Sequence, residues 1–215
     1  VAFAIVDTTK ASSADGVNAG PTPAINTTGA TLLVAATAYT VSLTLSDSKS
    51  NVWTALTEQN NTVRTRFYYV INPIVGSGHT FTGVGTVPNI VVFAYSGTTP
   101  TFIAETGANS SGTTIQPGAL TPQTGDLFDV SMSNGDTGAT FSSDLESGHL
   151  MSNGVPGTSV PLILSNYLAP NTTAYNPTLT STISNGNNVT RMAQFREGGG
   201  VTPTGGITLM GQAVL

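Results

Sequence analysis

The residues able to do chemistry in this chain are few and far apart. His79 and His149 are its two histidines, the candidates for a general base or a metal ligand. Glu146 and His149 stand three residues apart, but the His-Glu-x-x-His spacing that sets two zinc ligands on one helical face is missing. The Gly-x-Ser-x-Gly elbow that would expose a serine nucleophile is also missing. Nor is there a phosphate-binding Gly-x-x-x-x-Gly-Lys, and the Gly198-Gly199-Gly200 run has no lysine after it. Paired carboxylates can hydrolyse a glycosidic bond. Asp126 and Asp129, three apart on an extended segment, face opposite sides, whereas Asp144 and Glu146 share a side. Neither pair lies in a sequence that would raise a pKa, so both read as solvated loop acids. His79 follows Gly76-Ser77-Gly78 and precedes Thr80-Phe81-Thr82, and reads as a strand-edge histidine bonded to a loop.

Two further groups bear on binding. Asp47-Ser48-Lys49-Ser50-Asn51 carries oxygen ligands of the kind calcium takes, but without the central Gly and closing Glu of a calcium loop, and with a repelling Lys49 inside it. The alternative is an Asx-type turn, Asp47 and Asn51 accepting from nearby amides. Trp53, the single tryptophan, follows this turn at a strand start and reads as a core residue; exposed, it would be a platform for sugar stacking. Arg64, Arg66 and Tyr68 alternate on one side of an extended run, opposite Val63, Thr65, Phe67, Tyr69 and Ile71. Arginine and tyrosine are enriched at interface hot spots, which makes these three the candidate contact surface.

Strands must position all of these residues. No stretch of ten residues shows helical spacing, whereas short extended runs recur between Gly, Pro, Asn and Ser. Leu32–Ala36 and Ile90–Tyr95 are continuously apolar, as in strands covered on both faces. Val41, Leu43 and Leu45 alternate with Ser42, Thr44 and Ser46; Phe128, Val130 and Met132 alternate with Asp129 and Ser131; and Val160, Leu162 and Leu164 repeat the pattern. Asn134-Gly135, Asn153-Gly154 and Asn185-Gly186 are tight-turn signals. No repeat of fixed period is visible. The expectation is an all-β chain, an antiparallel β-sandwich of jelly-roll type. Residues 1–197 form one sandwich domain in this reading, and 198–215 a Gly-rich link with a C-terminal strand.

Charge bounds the partners. Asp, Glu, Lys and Arg make up 8% of 215 residues, against about 25% in an ordinary soluble domain. Six cations in a chain of net charge −5 cannot build the basic face that nucleic acid needs. No apolar run reaches the roughly 20 residues of a membrane-spanning helix. There is no cysteine, hence no disulfide or thiolate chemistry, and nothing calls for a cofactor or a metal. Val1–Val6 is apolar but has no basic stretch before it, unlike an intact signal peptide. Phe3 and Ile5 at one end, and Ile207 and Leu209 at the other, lie in apolar segments that either close the chain's own sheet or add to a neighbour's edge. Pairing within the chain is the default.

The order Asp47-Ser48-Lys49-Ser50-Asn51-Val52-Trp53, then Tyr68-Tyr69-Val70-Ile71-Asn72-Pro73, then Gly76-Ser77-Gly78-His79-Thr80-Phe81-Thr82 resembles all-β modules of bacteriophage structural proteins and bacterial surface proteins. In those modules the first element reads Asp-Ser-x-Gly-Asn-x-Trp/Tyr, and Ser50 stands here at the Gly position. The apolar run from Ile90 ending at Ser96-Gly97 fits the same modules. The resemblance spans about residues 30–130 and implies a sandwich and a virion or cell-surface setting. It carries over no catalytic residue. The expected function is therefore a non-enzymatic virion component (capsid decoration, fibre or tail-associated), extracellular and homo-oligomeric or bound to other virion subunits. The alternatives are a carbohydrate-binding adhesive module and a subunit of a donor-strand filament.

Overall fold

The computed structural model describes residues 2–13, 16–136, 138–144, 152–153, 160–183 and 187–198. Those residues contain no α-helix, so none is long and apolar enough to cross a membrane. The first half of the chain holds β1 (Ala4–Ser12), β2 (Asn18–Ala19), β3 (Leu32–Tyr39), β4 (Leu43–Asp47), β5 (Thr54–Ala55), β6 (Gln59–Asn61), β7 (Val63–Ile71), β8 (Phe81–Gly85) and β9 (Asn89–Ser96). The second holds β10 (Pro100–Ser110), β11 (Thr114–Ile115), β12 (Leu127–Ser133), β13 (Phe141–Ser143), β14 (Ser152–Asn153), β15 (Leu162–Leu168), β16 (Leu179–Ser181) and β17 (Asn188–Glu197).

The antiparallel sandwich expected from the sequence forms, and it forms twice. In the first half a large sheet, β1-β9-β3-β7-β5, faces a small one, β2-β8-β4. In the second half β10-β17-β12-β15-β14 faces β11-β16-β13. The orders correspond strand for strand: β1-β9-β3-β7 to β10-β17-β12-β15, and β2-β8-β4 to β11-β16-β13. In each half the chain passes back and forth between the two sheets, and its first and last long strands lie side by side. That wrapping is the jelly-roll arrangement. The two large sheets then pack against each other, so four layers stack in the order small, large, large, small.

Stacking explains the continuous apolar runs. Along β3, Leu32, Val34, Ala36 and Ala38 enter the central core between the large sheets, while Leu33 and Ala35 enter the first half's own core. Every residue of β3 is buried. In β9, Val91, Phe93 and Tyr95 point to the central core and Ile90, Val92 and Ala94 to the other. The alternating run in β12 behaves differently from its sequence reading. Phe128, Val130 and Met132 fill the second half's core, but Asp129 and Ser131 do not face water. They face the first half's large sheet, where the Tyr95 hydroxyl donates to Asp129 (2.6 Å) and Ser131 meets Thr65 (3.1 Å).

Candidate functional site

The chemistry-bearing residues of the first half converge on one corner. Asp47 ends β4 and His79 lies in the loop before β8, so the antiparallel pairing of these strands brings them together. His79 is fully buried, stacked on Phe81 at 4.4 Å between ring centroids. Its Nε2 lies 3.0 Å from Asp47 Oδ1 and its Nδ1 2.9 Å from Thr27 Oγ1. A hydroxyl, an imidazole and a carboxylate in series are the parts of a nucleophile relay. A relay needs its hydroxyl at a surface that substrate can reach. Thr27 has none: it is fully buried, and the Gly76 amide donates to its oxygen at 3.1 Å. The array is an internal strut, which fits the reading of His79 as a loop-bonded histidine.

Asp47 is the hub of the corner. It accepts from the Lys49 amide (2.8 Å), the Asn51 side chain (3.2 Å) and, through Oδ2, the Trp53 indole (2.7 Å). This is the Asx-type turn anticipated from the sequence, extended to a tryptophan and a histidine. Among the described residues no cluster of three His, Cys, Asp or Glu is placed to hold a metal. Ser50 completes the turn at φ 61°, a left-handed conformation that suits glycine better than serine. Asn51 passes the rigidity on. Its side chain accepts from the Ile74 amide (2.6 Å) and donates to the Ile74 carbonyl (3.1 Å), locking the 47–53 loop to the 72–76 loop. The tips so held are apolar and open: Val52 is 88% exposed and Ile74 60%.

Beside these tips runs a cleft of about 540 Å³. One wall is all of β4, Leu43 to Asp47; the other includes Trp53 and Tyr68. Trp53 is neither a fully buried core residue nor a free platform. Half-buried, it packs edge-on against Phe81 (6.0 Å) and presents its remaining surface to the cleft.

The Arg64, Arg66 and Tyr68 alternation is real, but the small sheet covers its Tyr68 end. Tyr68 is 7% exposed in the first half's core, its hydroxyl donating to the Leu43 carbonyl (3.3 Å). Beyond the small sheet, Arg64 and Arg66 are half-buried around Glu58, at 3.0 and 3.6 Å, and Glu58 also accepts from Tyr39 (2.5 Å). At the N-terminus, β1 pairs with β9 of its own chain, Phe3 is 2% exposed in the central core, and Ile5 packs against it. Ile207 and Leu209 lie outside the described residues, as do Glu146, His149, Gly154 of the turn at 153–154 and the turn at 185–186.

The other acids are taken up singly. Asp126 accepts both Arg196 Nε (2.8 Å) and Nη2 (2.7 Å), Gln194 (2.6 Å) and the Gln123 amide (2.7 Å). Burial pushes its carboxyl up, but these donors outweigh burial and hold it below the usual range. Asp129 is the opposite case. Burial pushes its pKa up to about 7, the Tyr95 hydroxyl offsetting only part of that, and its Oδ2 has no partner. Asp144 accepts from the Thr178 amide (2.8 Å). Nothing in the sequence pattern pointed to the Thr27, Tyr95 or Ile74 partnerships, because each joins residues 23 to 52 positions apart through a fold that pattern alone does not order. No family model, curated protein or solved structure matches the chain.

Proposed function

We propose that this chain is a non-enzymatic structural component of a virion, a decoration, fibre or tail-associated subunit that works outside the cell by making assembly contacts. The doubled jelly roll supports this by analogy of architecture, since jelly rolls recur in capsid and lectin domains. The observation that carries the reading is local: Val52 and Ile74 are held out to solvent on two loops locked together through Asn51 and Asp47. An apolar contact made by pre-ordered loops loses little conformational freedom on binding. The scarcity of charge lowers both repulsion between copies and the desolvation cost of burying their surfaces.

Light scattering across a concentration series tests it. The expected result is mass that grows with concentration in the wild-type chain and stays monomeric in a Val52→Asp, Ile74→Asp double variant of unchanged melting temperature. A wild-type chain that remains monomeric at its highest soluble concentration would refute assembly through this corner.

A further inference from the structure

A sheet edge offers unpaired amides and carbonyls to any extended chain, and folded proteins blunt such edges with bulges, charge or brevity. The edges here divide on that criterion. β1 and β10 are long, but each is bulged, between Ile5 and Asp7 and between Phe102 and Ala104, and they carry Asp7, Lys10 and Glu105. β2, β5, β11 and β14 have two residues each, and β6 and β13 three. Among the described residues β4 is the exception, five residues in unbroken register with β8 and uncharged from Leu43 to Ser46.

Its free side can be read from the hydrogen bonds that flank it. The Ser42 carbonyl accepts from Thr86 and the Ser48 amide donates to Thr80, so even-numbered residues bond β8. Alternation then turns the backbone groups of Leu43, Leu45 and Asp47 to the open side. The Leu43 carbonyl takes the Tyr68 hydroxyl and the Asp47 carbonyl takes the Ser50 amide. Leu45 is left with its N–H and C=O facing the cleft of about 540 Å³ between β4 and Trp53. The segment that would continue the small sheet past β4 is spent elsewhere, because β5 and β6 pair with β7 in the large sheet.

We propose that the open edge of β4 accepts an added strand from residues 206–215 of a second copy of the chain. This rests on the assembly reading and gives it a contact. Residues 206–215, Gly-Ile-Thr-Leu-Met-Gly-Gln-Ala-Val-Leu, carry no charge and alternate Ile207 and Leu209 with Thr208 and Met210. Strand addition draws its affinity from main-chain bonds and its selectivity from alternate side chains, here set against Leu43, Trp53 and Tyr68. The cleft is continuous with the assembly corner, since Ser50, Asn51 and Trp53 line it and Val52 projects beside it.

Hydrogen exchange at the Leu45 amide, read with light scattering on the full chain and on an Ile207→Asp, Leu209→Asp variant, decides the matter. In assembled wild type the Leu45 amide is expected to be protected. In the variant its exchange should rise by about tenfold or more as the mass falls, with the Ala35 amide in β3 unchanged. A monomer with a protected Leu45 would overturn the proposal in favour of the chain's own segment. Assembly that persists in the variant, with Leu45 exchanging fast throughout, would overturn the proposal and spare the assembly reading. A monomer with fast exchange would sink both. A saturable change in Trp53 emission on adding cellotriose or maltotriose, with Leu45 still exchanging fast, would overturn it in favour of a sugar cleft.

Discussion

Asp129 lies between the two large sheets, and replacing it with Asn should stabilise the protein in a way that depends on pH. Its carboxyl rises from 3.8 to about 7 on folding, because the ion is buried with only the Tyr95 hydroxyl for support. A raised acid favours the protonated folded state. Its contribution is therefore fully present below pH 3.8, declines as pH rises, and is lost above about pH 7. Going from 3.8 to about 7 corresponds to about 4 kcal/mol at the alkaline end. Asn copies the protonated acid: one oxygen still accepts from Tyr95, and the amide nitrogen takes the place of Oδ2, which has no partner to lose. Asp129→Asn should thus match wild type near pH 4 and exceed it by up to about 4 kcal/mol near pH 8. Urea denaturation followed by the single tryptophan at pH 4 to 9 measures the difference, and subtracting the two proteins removes the titration of every other acid. A difference that stays flat with pH, or a variant less stable than wild type at pH 8, would refute the argument.

Asp126→Asn should show the reverse dependence. Its lowered carboxyl contributes stability above the unfolded pKa that is lost as pH falls through the folded one, so the variant should cost about 2 kcal/mol at pH 7 and progressively less in acid, by the same urea series. Asp47→Ala strands the donors of Lys49, Asn51, Trp53 and His79, and should cost about 3 kcal/mol, lowering the melting temperature by roughly 10 °C with a red shift of the Trp53 emission. Ser50→Gly relieves a serine at φ 61° and should leave stability unchanged or raise it by about 0.5 kcal/mol; a loss above about 1 kcal/mol would mean that the Ser50 side chain supports the turn.

Local chemistry was legible in the sequence wherever partners are near in the chain. The 47–53 turn follows from an Asp followed at short range by amides it can reach, and the two continuous apolar runs declared strands covered on both faces. What the sequence hid depends on the second sandwich. An Asp-Ser alternation in β12 is the ordinary signature of a solvated face, and only the arrival of the first half's sheet buries Asp129 and Ser131. The first half's own small sheet likewise hides Tyr68 on a face whose arginines remain half-exposed. The repeat itself left no period to find, because a jelly roll fixes the order of strands and the side each residue faces, not its identity: β3 fills its place with Leu, Val and Ala, while β12 fills the corresponding one with Phe, Asp, Val, Ser and Met.

Doubling the sandwich also explains where function is left to reside. Each large sheet is covered on both faces, so a polar side chain on it must find a partner or be excluded from the ionised state. Thr27 closes on His79 and His79 on Asp47, Asp126 on Arg196, and Glu105 on Arg191 and Thr57, each tying one element to another. What the stack cannot cover is its rim: loop tips such as Val52 and Ile74, and an edge such as β4 whose next strand was drawn to the large sheet. Under the proposed assembly role, these margins are where such a protein would meet its partners.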